Sequence, residues 1–164
     1  MTIRYAKIVM VLALAAYALM VTFNNITDYS SNFAFVQHVL TMDTTFQSKA
    51  LMYRAVTSPE LWHAAYWVII AGEGLTGLLL LAGGFQLLKA RSASGAQFDQ
   101  AKKWAVAGIT AGFLVWFFSF IVIGSEWFQM WQSQIWNGKD TAFHVTLILL
   151  AVLVFVNQPD RDLA

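Results

Sequence analysis

The 164-residue chain has no cysteine, two prolines and little charge. Without cysteine there are no disulfides, thiolate zinc sites, iron–sulfur clusters, covalently attached c-type haem or thiol nucleophiles. Charged residues make up 12% of the chain, where a soluble domain carries roughly 25%. A net charge of +1 supplies neither the basic face of a nucleic-acid binder nor the bias of an acidic disordered tail. P-loop and Rossmann glycine patterns are missing, as is G-x-S-x-G, and Ser125 beside Glu126 has no positioned histidine. What is present is apolar: 59% hydrophobic and 15% aromatic residues, with mean hydropathy +0.59. This is the composition of an integral membrane protein of one-domain length.

Four apolar runs predict an all-α polytopic membrane protein. Its single transmembrane domain, 1–164, would be a four-helix bundle with spans at about 5–23, 60–88, 104–125 and 141–158. In the first, Lys7 is expected to snorkel to the interface. Ala16-Tyr17-Ala18 also fits a signal-peptide cleavage pattern, but the run continues through Leu19, Met20 and Val21, so a retained span is expected. The second starts with three matching signals: Ser58 as cap, Pro59 at the first helical position and Glu60 in the first turn. Pro159 stops the fourth. An even number of spans puts both termini on one side. Seven Lys and Arg lie on that side (Arg4, Lys7, Lys89, Arg91, Lys102, Lys103, Arg161) and three on the other (Lys49, Arg54, Lys139), which predicts cytoplasmic termini. Trp62, Trp67, Trp127 and Trp131 then mark the outer interface and Trp104 the inner one.

Segment 24–62 is too long for a structureless hairpin. Its spacing predicts short helices over Phe33–Leu40, capped by Asn32, and over Phe46–Val56, capped by Asp43 or Thr44. Segment 125–140 resembles a third, with Trp127, Met130, Trp131 and Ile135 at helical spacing and Trp136-Asn137-Gly138 as a turn. Segment 89–103 reads as a polar hairpin. Gly108 and Gly112 form G-x-x-x-G, a pattern of close helix approach either within the chain or between two copies.

Glu73 is the most informative residue. It lies about 13 Å below Ala64 at 1.5 Å per residue, where a carboxylate is costly. No span core offers Lys or Arg. Glu73 is therefore expected between helices, neutral and hydrogen-bonded, or else binding a proton, a cation or a ligand headgroup. Reckoning of depth brings Tyr17, Trp116 and Ser119 to its level. At the outer boundary, His63, His144, Glu126 and Asp140 are weak candidates for a divalent metal, and His63 with His144 for a b-type haem. No cofactor is expected. His38 reads as structural or surface. The Asn25-Ile26-Thr27 sequon reads as a turn or cap.

Four strings carry a resemblance: Asn25-Ile26-Thr27-Asp28-Tyr29, His38-Val39-Leu40-Thr41-Met42-Asp43-Thr44, Glu126-Trp127-Phe128-Gln129-Met130-Trp131-Gln132-Ser133, and Trp136-Asn137-Gly138. With the four-span layout they resemble a family of small bacterial integral membrane proteins of unknown function. The resemblance covers nearly the whole chain, and the string from Glu126 to Ser133 is its most specific part. It implies a bacterial inner-membrane location and brings no activity, cofactor or catalytic residue. In that family an arginine often follows the Ala-Phe of the fourth span, where this chain has His144. The resemblance thus implies that His144 is a poor family-wide ligand.

The strings lie on the outer side, where loops on a rigid scaffold usually bind. Glu126, Trp127, Trp131, Gln132 and Asn137 are the candidate binding residues there. The leading expectation is a non-enzymatic accessory, scaffold, lipid-binding or partner-binding protein acting through this aromatic cap. It would contact the bilayer, another membrane protein or a second copy of itself, and no nucleic acid. The alternatives are a small proton- or cation-coupled carrier or channel using Glu73, and a haem- or metal-binding redox protein.

Overall fold

The computed structural model describes residues 1–162. It is helical, with no strand among the described residues. α1 is Thr2–Thr27, α2 Tyr29–Thr41, α3 Pro59–Lys89, α4 Gly95–Gln100, α5 Lys103–Phe113 and α6 Lys139–Asn157. α5 runs on as a π-helix, Leu114–Trp127, and single 3-10 turns form at Met52–Arg54 and Met130–Gln132. Four helical stretches are long and apolar enough to cross a membrane: α1, α3, α4 through the π-helix, and α6.

The start of α3 follows its sequence signals. Ser58 Oγ accepts from the Leu61 amide at 3.4 Å, and Pro59 opens the helix. α4 has a reciprocal box in which Ser94 and Gln97 each satisfy the other's backbone amide, so the 89–103 connection is partly helical. The outer segment departs from expectation. α1 runs on through Asn25 to Thr27, so Asn25 sits in a helix rather than a turn. α2 begins at Tyr29, just after Asp28 breaks the helix with φ −113° and ψ 56°, so Asn32 lies within α2 and caps nothing. Left-handed Met42 (φ 55°) ends it. The predicted helix over Phe46–Val56 reduces to one 3-10 turn. Phe46 and Tyr53, which helical spacing would put on one face, are 70% and 73% exposed, so no burial stabilises a longer helix. Of the four residues at helical spacing in segment 125–140 only Met130 is buried, and Trp127, Trp131 and Ile135 stay exposed beside one turn.

The spans close into a ring: α1 packs on α3, α3 on α5, α5 and the π-helix on α6, and α6 on α1. Ile8, Val11 and Ala15 of α1, Leu80 and Leu87 of α3, Ile109 of α5, and Leu149 and Val152 of α6 form the main core. The G-x-x-x-G motif is used inside the chain. A Cβ on Gly108 would lie 2.8 Å from the Leu80 backbone nitrogen, and one on Gly112 would lie 3.1 Å from Thr76 and Leu149. Val9, Met20, Phe23, Val68, Leu78, Phe118, Ile148 and Val154 remain on the outside, as lipid contact requires.

Both described termini lie at one end, tied together by a buried ionic cluster. Arg4 donates to the carbonyls of Ala93 at 2.6 Å, Arg161 at 2.8 Å and Arg91 at 3.1 Å. Asp160 Oδ2 accepts from Lys7 at 2.5 Å and from Lys102 at 2.6 Å. Both lysines also reach the Gln158 carbonyl at 2.7 Å, and Lys102 holds Asp99 at 2.5 Å. Lys7 was expected to snorkel, yet it is 1% exposed. The chain after α6 folds back over it and supplies the partners that water would otherwise provide. Burial pushes the Asp160 carboxyl up, but hydrogen bonds from Lys102 and Lys7 outweigh it and hold Asp160 below the usual carboxylate range.

Candidate functional site

The end opposite the termini, here the distal end, carries the site. α3 extends 14 residues beyond Glu73 to Pro59, about 21 Å at 1.5 Å per residue. α1 ends much lower. α2 crosses the step between them and packs Val36, with Phe33 and Phe35, against Tyr66 and Ile70 of α3. Glu73 therefore lies on the floor of a chamber roofed by α2.

Three helical faces converge there. α1 contributes Tyr17, Val21 and Asn25 at successive i,i+4 positions, and α3 contributes Tyr66, Ile69 and Glu73. The π-helix contributes Trp116 and Phe120. Asn32, Phe35 and Val36 of α2 and Gly138, Thr141 and Ala142 at the start of α6 complete a cavity of about 290 Å³. Glu73 is 2% exposed. Its Oε2 accepts from Asn25 Nδ2 at 2.7 Å, and Tyr66 donates to the Asn25 carbonyl at 3.1 Å. Among the described residues lining this chamber there is no Lys, Arg or His.

A second chamber, about 230 Å³, lies beside the first and shares Phe35, Val36, Ile69 and Phe120 with it. Its other walls are nearly all apolar, among them Val39, Leu40, Val68, Ile123 and Met130. The π-helix lines both chambers. Its wider turns, sealed by bonds such as Phe128 N to Ile123 O at 3.0 Å, present residues four and five apart on one side: Ser119, Phe120, Ile123 and Gly124. π-turns inside helices are frequent at functional sites.

The predicted neighbours of Glu73 separate. Tyr17 and Trp116 share its chamber, with ring centroids 5.8 Å apart. Ser119 does not: its hydroxyl donates to the Leu114 carbonyl at 3.3 Å and it lines the apolar chamber. Asn25, the actual partner, lies two residues beyond the predicted end of the first span at 23. Extending the Tyr17–Val21 face by one more turn reaches it.

The candidate residues of the cap mostly hold the cap together. Gln132 Oε1 accepts from the Phe46 amide at 2.9 Å, and Trp131 meets the Phe46 ring edge-on at 5.9 Å. The Arg54 guanidinium stacks on Trp127 at 4.5 Å. Asn137 Oδ1 accepts from the Lys139 amide at 3.1 Å. Glu126 is exposed, its carbonyl bonded by Gln129. Ser125 beside it is buried, with no hydrogen-bond partner among the described residues. His63 bonds Tyr29 Oη at 2.8 Å and stacks on Phe33, while His38 bonds Asp43 at 2.7 Å and stacks on Trp136. His144 and Asp140 lie exposed on α6. Among the described residues no three His, Asp or Glu side chains gather at one point, so His63, His144, Glu126 and Asp140 do not form a cluster.

The chain belongs to the family described as predicted small integral membrane protein (DUF2165), whose model matches residues 3–159. No curated protein and no solved structure matches it.

Proposed function

We propose that this DUF2165 protein is a non-enzymatic membrane protein that binds an amphiphilic lipid beneath its distal cap. The observation that carries this reading is the pairing of chambers: one apolar, one with a buried carboxyl, sharing four wall residues. An amphiphile presents the same division, an acyl chain joined to a polar head. Pockets of a few hundred Å³ with few polar groups among apolar walls are the usual form of small-molecule sites.

The excess of Lys and Arg at the terminal end supports cytoplasmic termini in a bacterial inner membrane, with the chambers toward the outer leaflet. Thiol labelling of Lys49→Cys from outside and Ala96→Cys from inside tests that orientation, and reversed access would overturn it. For binding, the wild-type protein and Ala65→Trp, which fills the apolar chamber, are purified in mild detergent and their lipid content measured by mass spectrometry. Stoichiometric lipid on the wild type and its loss from the variant are expected. A lipid-free wild type, or equal lipid on both, would overturn the reading.

A second reading, a proton- or cation-coupled carrier, is favoured by the burial of Glu73 without a cationic neighbour. Proteoliposome flux separates the two. Flux that is lost in Glu73→Gln supports a carrier, and equal flux removes Glu73 from transport.

A further inference from the structure

Within the amphiphile reading, on which this step rests, we infer that the polar chamber takes a lipid headgroup ending in a primary ammonium, with Glu73 as its counter-ion.

Charge is the first argument. Glu73 is buried, lines the chamber and meets no Lys, Arg or His there. A carboxylate at this depth is costly unless a cation neutralises it. Asn25 occupies Oε2 only; among the described residues Oε1 has no hydrogen-bond partner. An ammonium seated against Oε1 supplies the missing charge, and a phosphate or free carboxylate in the same place would repel Glu73.

The walls are the second argument. Tyr17, Tyr66 and Trp116 line the chamber, and the tilted Tyr17–Trp116 pair (43° between planes) offers ring faces around one space. Aromatic faces attract ammonium groups, most strongly where water is excluded. Hydrogen-bonding capacity separates primary from quaternary ammonium. A primary ammonium carries three N–H donors, and a quaternary one carries none. Asn32 and Thr141, both exposed, also line the chamber, and their side-chain oxygens have no partner among the described residues. With Glu73 Oε1 they give the chamber acceptors that an N–H donor can use and a quaternary ammonium cannot. The Trp116 indole N–H, also without a partner among the described residues, remains to donate to the phosphodiester that precedes such a head.

The test is competitive lipid binding read by native mass spectrometry. Wild-type protein is offered equal amounts of phosphatidylethanolamine, its N-acetylated form, phosphatidylcholine and phosphatidylglycerol with the same acyl chains. At least about tenfold preference for the free amine over the N-acetylated and glycerol lipids is expected, a difference of about 1.4 kcal/mol. Glu73→Gln, whose fold is checked by circular dichroism, should bring the ratio near one. The N-acetylated lipid keeps the test valid in wild type should that variant fail to fold. Binding of lipids without headgroup preference, or an unchanged preference in Glu73→Gln, overturns this inference and leaves the amphiphile reading standing. Choline bound as well as ethanolamine overturns the primary-ammonium assignment. Free ethanolamine retained in place of lipid overturns the lipid source. Absence of every lipid overturns the amphiphile reading itself.

Discussion

Replacing Asp160 by Asn should loosen the terminal end of the bundle far more than removal of an exposed acid. Asp160 Oδ2 holds Lys7 at 2.5 Å and Lys102 at 2.6 Å, and the two lysine side chains are 1% and 5% exposed. Removing one partner of a buried ion pair costs about 3–5 kcal/mol, because the remaining charge is left uncompensated. The two lysines differ in what they retain. Lys102 keeps Asp99 at 2.5 Å and the Gln158 carbonyl at 2.7 Å. Among the described residues, Lys7 keeps that carbonyl, also at 2.7 Å, as its one hydrogen bond, whereas Arg4, 3.9 Å from Asp160 Oδ1, keeps three carbonyls. One stranded cation rather than two puts the cost at the lower end, about 3 kcal/mol. The assay is unfolding by sodium dodecyl sulfate in maltoside micelles at pH 7, followed by tryptophan fluorescence. Asp140→Asn, an exposed acid in the first turn of α6, serves as control and should stay within about 1 kcal/mol of wild type. A loss under 1 kcal/mol for Asp160→Asn, or equal losses for both, would refute the reasoning.

The same carboxylate sets a pH dependence. Its pKa is held below the usual 3.8, so its stabilisation is complete above the unfolded value and is lost as pH falls through the folded one. Wild type should lose stability below about pH 4 more steeply than Asp160→Asn in the same titration. Two glycines of α3 should respond with opposite sign in that assay. A Cβ on Gly83 would lie 2.7 Å from Ala105 Cα, so Gly83→Ala should cost about 1–3 kcal/mol. A Cβ on Gly74 meets Thr22 at an ordinary 3.5 Å, so Gly74→Ala should gain up to about 1 kcal/mol. Tyr66→Phe removes the bond to the Asn25 carbonyl, 3.1 Å long, and should cost about 1 kcal/mol by denaturant titration.

The spans were legible because long apolar runs and end signals act locally. Ser58, Pro59 and Glu60 mark the start of α3 by their own chemistry, and Pro159 follows the end of α6 by its own. What escaped depends on partners distant in sequence. Lys7 reads as an interfacial cation until residue 160 is known to fold over it. Phe46, Ala50 and Tyr53 have helical spacing, but spacing cannot show that no surface waits to bury them. No residue pattern in 114–127 announces the π-helix. At the site, Glu73 was legible because a lone carboxyl in an apolar run needs a reason. Its partner was not, because depth reckoned from assumed span ends misses the offset of α1 against α3. Tyr17 and Trp116 survived that error, since both reach the chamber from lower on their helices, whereas Ser119 turns toward the apolar side.

Photocrosslinking with a phospholipid that carries a diazirine in its acyl chain tests lipid seating between α2, α3 and the π-helix most directly. In the intact protein, adducts should concentrate on residues of the apolar chamber, Phe35 to Leu40 and Ser119 to Met130, and should vanish from them in Ala65→Trp. Adducts spread evenly over lipid-facing positions such as Val9, Leu78 and Val154, unchanged by Ala65→Trp, would contradict the account.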